Sequence, residues 1–205
     1  MVERSKWVEI TDEDPTHSQR YIERFRTMAE AGKDLAGEAR LIDAMAPRGA
    51  RILDAGCGPG RVGSTLAGLG HEVVGVDVDP VLIAEAQREH PGATWVVGDL
   101  SELDLPAGGI EAGFDVIVCA GNVMTFLATS TRSLVVSRLG AHLTEAGRLV
   151  VGFGAERGYS FDEFRSDAEA AGLIVDLEIG TWDLRPFTPE SDFLIWVLSR
   201  PAPAA

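Results

Sequence analysis

Cysteine, histidine and tyrosine are scarce in this chain: 205 residues carry two, four and two of them. Neither Cys57 nor Cys119 belongs to a Cys-x-x-Cys pair, and the histidines at 17, 71, 90 and 142 are scattered, so no metal-ligand spacing can be read. Long apolar runs are also missing. Nothing approaches the roughly 20 residues that cross a bilayer, and the opening residues Glu3, Arg4 and Lys6 contain no apolar signal core. Positive charge is in deficit: 18 Lys+Arg against 32 Asp+Glu leave a formal charge of −14, which repels a phosphate backbone over the whole surface. These deficits lead to the expectation of a cytoplasmic protein with no metal, no membrane and no nucleic-acid partner.

Glycine, by contrast, is concentrated where it matters. In Arg51-Ile52-Leu53-Asp54-Ala55-Gly56-Cys57-Gly58-Pro59-Gly60-Arg61 an apolar strand reaches an acid and then three alternate glycines, before a helix through Val62, Leu66 and Leu69. Such a turn lets backbone approach a ligand without Cβ interference. A second strand ends in Gly75-Val76-Asp77-Val78-Asp79-Pro80, where a carboxylate can accept hydrogen bonds from both hydroxyls of a ribose. Two strand ends converge on one nucleotide-like ligand.

The first 16 residues show no sustained period and are expected to be irregular. Helices are predicted from an N-cap at Ser18 to Gly32, over Asp34–Ala46, Gly60–Leu69, Pro80–His90, Ser130–Leu143 and Ser160–Ala171. Strands are predicted near Arg51–Asp54, Glu72–Asp77, Thr94–Val97, Phe114–Cys119, Arg148–Gly152, Leu173–Ile179 and Phe193–Ser199. This alternation signals a mainly parallel sheet covered on both faces, in one α/β domain. The last two strands have no helix between them, which suits an antiparallel pair, and the continuous apolar run Phe193–Leu198 suits a strand buried on both faces.

From about Ala36 to Ser199 the chain resembles the class I S-adenosylmethionine-dependent methyltransferases. Leu53–Gly60 resembles the loop that cradles the methionine end of the cofactor, and Asp77 falls on the ribose-binding acid. Gly98-Asp99-Leu100 resembles the adenine turn, with Asp99 on the exocyclic amine and Leu100 near the ring. Phe114–Asn122 resembles the fourth strand, whose end faces the transferable methyl group. Leu143–Val151 resembles the turn into the fifth strand, with Ala146-Gly147 in place of the usual double glycine. The resemblance implies a Rossmann-like, doubly wound seven-stranded sheet of order 3-2-1-4-5-7-6 with strand 7 antiparallel. It implies S-adenosyl-L-methionine as cofactor and S-adenosyl-L-homocysteine as product. The implied cofactor residues are Asp54, Gly56, Cys57, Gly58 and Gly60 in the loop, Asp77 and Val78, Asp99 and Leu100, and Ala120 and Asn122. Cys57 and Cys119 would end neighbouring strands, and reduced thiols are the favoured reading, since a disulfide would cross the crevice.

Each acid also has a plainer role: Asp54 can satisfy the glycine turn, Asp99 can form a turn, and helix capping falls better to Asp79 than to Asp77. His71, His90 and His142 belong at the sheet edge opposite the cofactor, and only His17 can reach the methyl group, so no general base is assigned. Residues 1–32 are expected to form an N-terminal segment with a lid helix, 33–200 the methyltransferase domain and 201–205 a tail. The acceptor pocket is expected among Tyr21, Asn122, Tyr159 and Arg185, with Arg26, Met124, Phe126 and Phe153 as further candidates. The function expected is methyl transfer to a small molecule by in-line displacement. Two rivals stay open: an NAD(P)-dependent oxidoreductase, against which stands the Gly-x-Gly-x-Gly spacing, and a non-catalytic S-adenosylmethionine-binding regulatory protein.

Overall fold

The computed structural model describes residues 2–201. Three helices precede the sheet: α1 (Lys6–Glu13), α2 (His17–Glu30) and α3 (Gly37–Met45). Then follow β1 (Arg51–Ala55), α4 (Arg61–Gly68), β2 (Glu72–Asp77), α5 (Pro80–Glu89), β3 (Thr94–Val97), β4 (Phe114–Cys119), the single turn α6 (Val123–Phe126), α7 (Arg132–Ala141), β5 (Leu143–Gly154), α8 (Phe161–Ala170), β6 (Ile174–Ile179) and β7 (Phe193–Ser199).

The sheet order is β3-β2-β1-β4-β5-β7-β6, and β7 runs antiparallel to both of its neighbours. Alternate side chains feed two cores. Leu53, Ile117, Cys119, Leu194 and Trp196 face α7 and α8, while Ile52, Val116, Val118, Ile195 and Val197 face α3 and α4. Both faces of β7 are therefore buried, which is why its sequence is an unbroken apolar run.

The irregular stretch expected at the start is a helix in its middle. Ser5 caps α1 by accepting from the Val8 amide at 3.4 Å; Trp7, Val8, Ile10 and Thr11 lie half-buried on one side, and Glu9, Asp12 and Glu13 are exposed. Eight residues are too short for that stripe to register as a period. Ser18 is not a cap: α2 begins one residue earlier, and the buried Ser18 hydroxyl reaches Asp79. Strand β5 starts five residues early because the chain bulges against β4 between Phe114 and Val116. Gly147 is needed in that bulge, as a Cβ there would lie 2.6 Å from the Phe114 carbonyl.

Candidate cofactor site

The carboxyl ends of β1 to β4 hold the site together through backbone bonds. At the end of β1 the Gly56 and Cys57 amides donate to the Val76 carbonyl at 2.8 and 3.1 Å. The Gly58 amide, at φ +54°, donates to Asp77 Oδ2 at 2.8 Å, and Asp77 Oδ1 accepts from the Asp79 amide at 2.9 Å. The loop rests on Trp95 of β3, whose indole is anchored by its Nε1–H to the His90 carbonyl at 2.8 Å. A Cβ on Gly75 would sit 2.3 Å from that ring, so only glycine lets β2 pass over it.

Two adjoining cavities share Tyr21, Gly56, Gly58, Gly121 and Val123 as common walls. The larger is lined by Val78, Leu82, Leu100 and Leu127, with Asp77 and Asp99 as acids, and by Ser5, Trp7 and Phe126. The smaller is lined by Asp54, Cys57, Pro59, Arg61, Phe25 and Ala120. Arg61 is held by Glu38 at 2.8 Å and by the Leu35 carbonyl. Burial is the leading cause of perturbed acidity here. It pushes the Asp54 carboxyl up to about 7 and Asp77 up to about 6, against backbone hydrogen bonds that pull both down. Burial also raises the Cys57 and Cys119 thiols, and both cysteines are free and buried.

A methyltransferase-domain family model matches residues 52–147, the span from β1 to the β4–β5 bulge. Over nearly the whole chain the fold coincides with that of a TehB-like S-adenosylmethionine-dependent methyltransferase from Corynebacterium glutamicum. That likeness has 49% identity and a TM-score of 0.87, covering 92% of this chain and 100% of the other. The chain belongs to the S-adenosylmethionine-dependent methyltransferases. Among curated relatives, a malonyl-[acyl-carrier protein] O-methyltransferase of Enterobacter lignolyticus is 36% identical over 35% of this chain and 27% of its own length. An 18S rRNA (guanine-N(7))-methyltransferase of Bos taurus is 24% identical over 78% of this chain and 59% of its own. The chain thus spans less than two thirds of the length of these curated relatives.

S-adenosylmethionine is the cofactor of this methyltransferase, and the donor set fits it. One cavity is largely apolar with Asp99 and the half-buried Asp77 carboxylate, which is bonded to the glycine floor; the other offers a carboxylate and a guanidinium. Asp54, Gly56, Cys57, Gly58, Asp77, Val78, Asp99, Leu100 and Ala120 all line one cavity or both. Asp99 Oδ1 is occupied by the Ser101 amide and hydroxyl, at 2.8 and 2.7 Å.

Other expected residues are placed elsewhere. Gly60 caps α4 and packs on Trp95, where a Cβ would be 2.9 Å from the ring, so it shapes the loop without facing the cleft. The Asn122 carboxamide accepts from the Gly154 amide at 2.8 Å and ties the ends of β4 and β5 together. Tyr159 is 1% exposed, stacks on Phe153 and donates to Asp167, so it belongs to the core and not to a pocket. Met124 and Phe153 are core as well. Arg185 is exposed and pairs with Asp183 at 3.5 Å, and Arg26 pairs with Glu85 away from the cleft. Tyr21 and Phe126 remain at the cleft. His71 is bound to Asp43 at 3.0 Å and His142 to the Arg138 carbonyl at 2.7 Å, while His17 rests edge-on against Trp7. None of the four histidines lines either cavity.

Ser5, Trp7, Val123 and Arg61 line the cavities and Trp95 supports the loop, and none of the five is among the site residues expected from the sequence. An isolated tryptophan in a polar, acidic stretch was the one available signal for Trp7.

Proposed function

We propose that the protein methylates a small-molecule acceptor, holding S-adenosylmethionine across both cavities. Asp77 would accept both ribose hydroxyls, Asp99 the exocyclic amine, and Val78, Leu82 and Leu100 would enclose the adenine. Asp54 would face the amino group at the other end, with Arg61 beside it. The cofactor supplies a methyl group already activated on a sulfonium, so the acceptor lone pair displaces it in line. The chain's own contribution is orientation and the exclusion of water. Tyr21, which walls both cavities, lies over the glycine floor 3.7 Å from where a Gly58 Cβ would stand, where it can shield the reacting centre.

The observation that carries this reading is the pairing of Asp77 with Gly58, which ties a half-buried acid of the larger cavity to the glycine floor that both cavities share. The small size of the acceptor rests on charge: −14 repels a polyanion such as the RNA named for one relative. In the same proposal residues 1–32 form a cover, 33–200 form the catalytic domain, and the protein works in the cytoplasm. No described helix is long and apolar enough to cross a membrane.

Calorimetry tests the cofactor: S-adenosylhomocysteine should give binding heat, and NAD and NADP none. Tight binding of a dinucleotide would move the protein to the oxidoreductases. Metabolite extracts incubated with methyl-labelled cofactor should yield a labelled small molecule, whereas label found only in RNA or protein would overturn the acceptor class. Binding without transfer to any acceptor would favour the regulatory reading.

A further inference from the structure

Asp79 does more than start a helix. Its Oδ1 accepts from the Val81 and Leu82 amides at 2.8 and 3.4 Å and caps α5. Its Oδ2 accepts the Trp7 Nε1–H of α1 at 2.8 Å and the Ser18 hydroxyl of α2. Its amide donates to Asp77, and Asp77 in turn accepts the Gly58 amide of the glycine loop. Asp79 is 5% exposed, and every contact just described lies within two residues of a cavity wall or belongs to the N-terminal cover.

Apart from this, α1 is lightly held. It has no fully buried residue, and among the described residues its other hydrogen bonds to the domain are the Lys6 ammonium on the Thr125 carbonyl at 3.4 Å and, at its approach, the Ser130 hydroxyl on the Glu3 carboxylate. The Trp7 ring meets His17, Tyr21 and Phe126 edge-on at 5.1, 5.3 and 5.5 Å, and together with Ser5 it lines the larger cavity that Val78 and Leu100 also line. The one polar bond anchoring this ring therefore ends on the residue two places after the proposed ribose acid.

We propose that Trp7 is a wall of the nucleoside pocket and that Asp79 is its positioning residue: the Trp7–Asp79 hydrogen bond latches α1 over the nucleoside and sets how fast the cofactor product leaves. This rests on the cofactor placement proposed above. A bound nucleoside fills the space under the ring and holds the strap down; loss of the latch frees the strap at one end and opens the pocket. Truncating the indole to phenyl removes the N–H and keeps an aromatic wall. Asp79→Asn keeps an oxygen for the α5 amides and turns an amide donor toward the indole and Ser18 donors.

Surface plasmon resonance with S-adenosylhomocysteine and hydrogen exchange over residues 2–14 test the latch. In the unaltered protein, product should slow exchange in that segment. Trp7→Phe and Asp79→Asn should each raise the dissociation rate about tenfold, abolish the ligand-induced slowing over 2–14, and leave protection of the β1 and β4 amides intact in the free protein. If both variants retain protection in β1 and β4 yet release product at the original rate, the latch is wrong while the cofactor site stands. If the unaltered protein binds no S-adenosylhomocysteine, the cofactor placement fails and the latch falls with it. Should Asp79→Asn lose β1 protection through its cap, Trp7→Phe alone decides.

Discussion

The glycine loop and the N-terminal cover meet the same cleft, yet they are held in opposite ways. The loop is fixed by its own backbone: amides of Gly56, Cys57 and Gly58 are taken up by Val76 and Asp77, and β1, β2 and β4 pair in register behind it. The cover is fixed by side chains, chiefly Trp7 and Ser18 on Asp79 and Arg26 on Glu85. Backbone pairing in a central sheet opens only with much of the fold, whereas a few side-chain bonds let an element open locally. One region is built to stay and the other to yield, and ligand entry needs both.

The sharpest break in this comparison is Asp77→Ala. It removes a carboxylate placed for two ribose hydrogen bonds, each worth about 1.5–3 kcal/mol to a charged acceptor. S-adenosylhomocysteine affinity should fall at least about 100-fold by calorimetry, since about 1.4 kcal/mol is tenfold. Unchanged affinity in a folded variant would take Asp77 out of the site.

Next comes the support beneath the loop. Gly75→Ala would push a Cβ to 2.3 Å from the buried Trp95 ring, which its bond to the His90 carbonyl keeps from yielding. Overpacking of this kind costs about 1–3 kcal/mol, and each kcal/mol lowers Tm by about 2–4 °C in a protein of this size. Adding Trp95→Leu should recover part of the loss. Strict additivity of the two substitutions would show that the ring does not press on β2.

That support also marks where sequence reading runs out. The sheet order followed from the family resemblance and not from local pattern, whereas the strand ends and the acids at 54, 77 and 99 were legible because parallel strands place ligands at their carboxyl ends and glycines mark the close approach. The α5 cap was legible too, since Asp79-Pro80 is a local pattern. Trp7 meeting Asp79 spans 72 positions and leaves no local trace. Tyr159 and Asn122 were placed correctly along the chain and wrongly in space. A residue just beyond a strand can turn into the core or into a neighbouring loop, and only packing decides between them. Nothing local marks Trp95 as the support, though a Cβ on Gly60, Gly63 or Gly75 would lie 2.9, 2.9 or 2.3 Å from its ring.

A smaller effect should appear in the pH dependence of the ligand-free protein. Asp54 and Asp77 are raised from about 3.8 to about 7 and about 6 by burial, so the folded chain takes up protons more readily than the unfolded one. Their contribution to stability is complete below about pH 4 and is lost as pH rises through 6 and 7. Asp14 and Asp34, lowered by arginine partners, tilt the other way, but both are solvent-facing ion pairs and count for little. Denaturant unfolding between pH 4 and 8 should therefore show the unaltered protein losing stability relative to Asp54→Asn. Parallel curves would mean that Asp54 titrates as an ordinary exposed acid.

The smallest effect is expected farthest from both regions, at Arg185. The loop between β6 and β7 presents this side chain to solvent at 77% exposure, with Asp183 as a partner at 3.5 Å, and neither cavity reaches it. An exposed pair of this geometry contributes about 0–1 kcal/mol. Arg185→Ala should leave Tm within about 4 °C, and once an acceptor is in hand it should leave KM for that acceptor unchanged. A several-fold rise in KM with kcat preserved would mean that the β6–β7 loop swings over the cleft when acceptor binds. The guanidinium would then meet an anionic group on it, and the acceptor pocket would extend beyond the two cavities to include a second movable wall opposite α1.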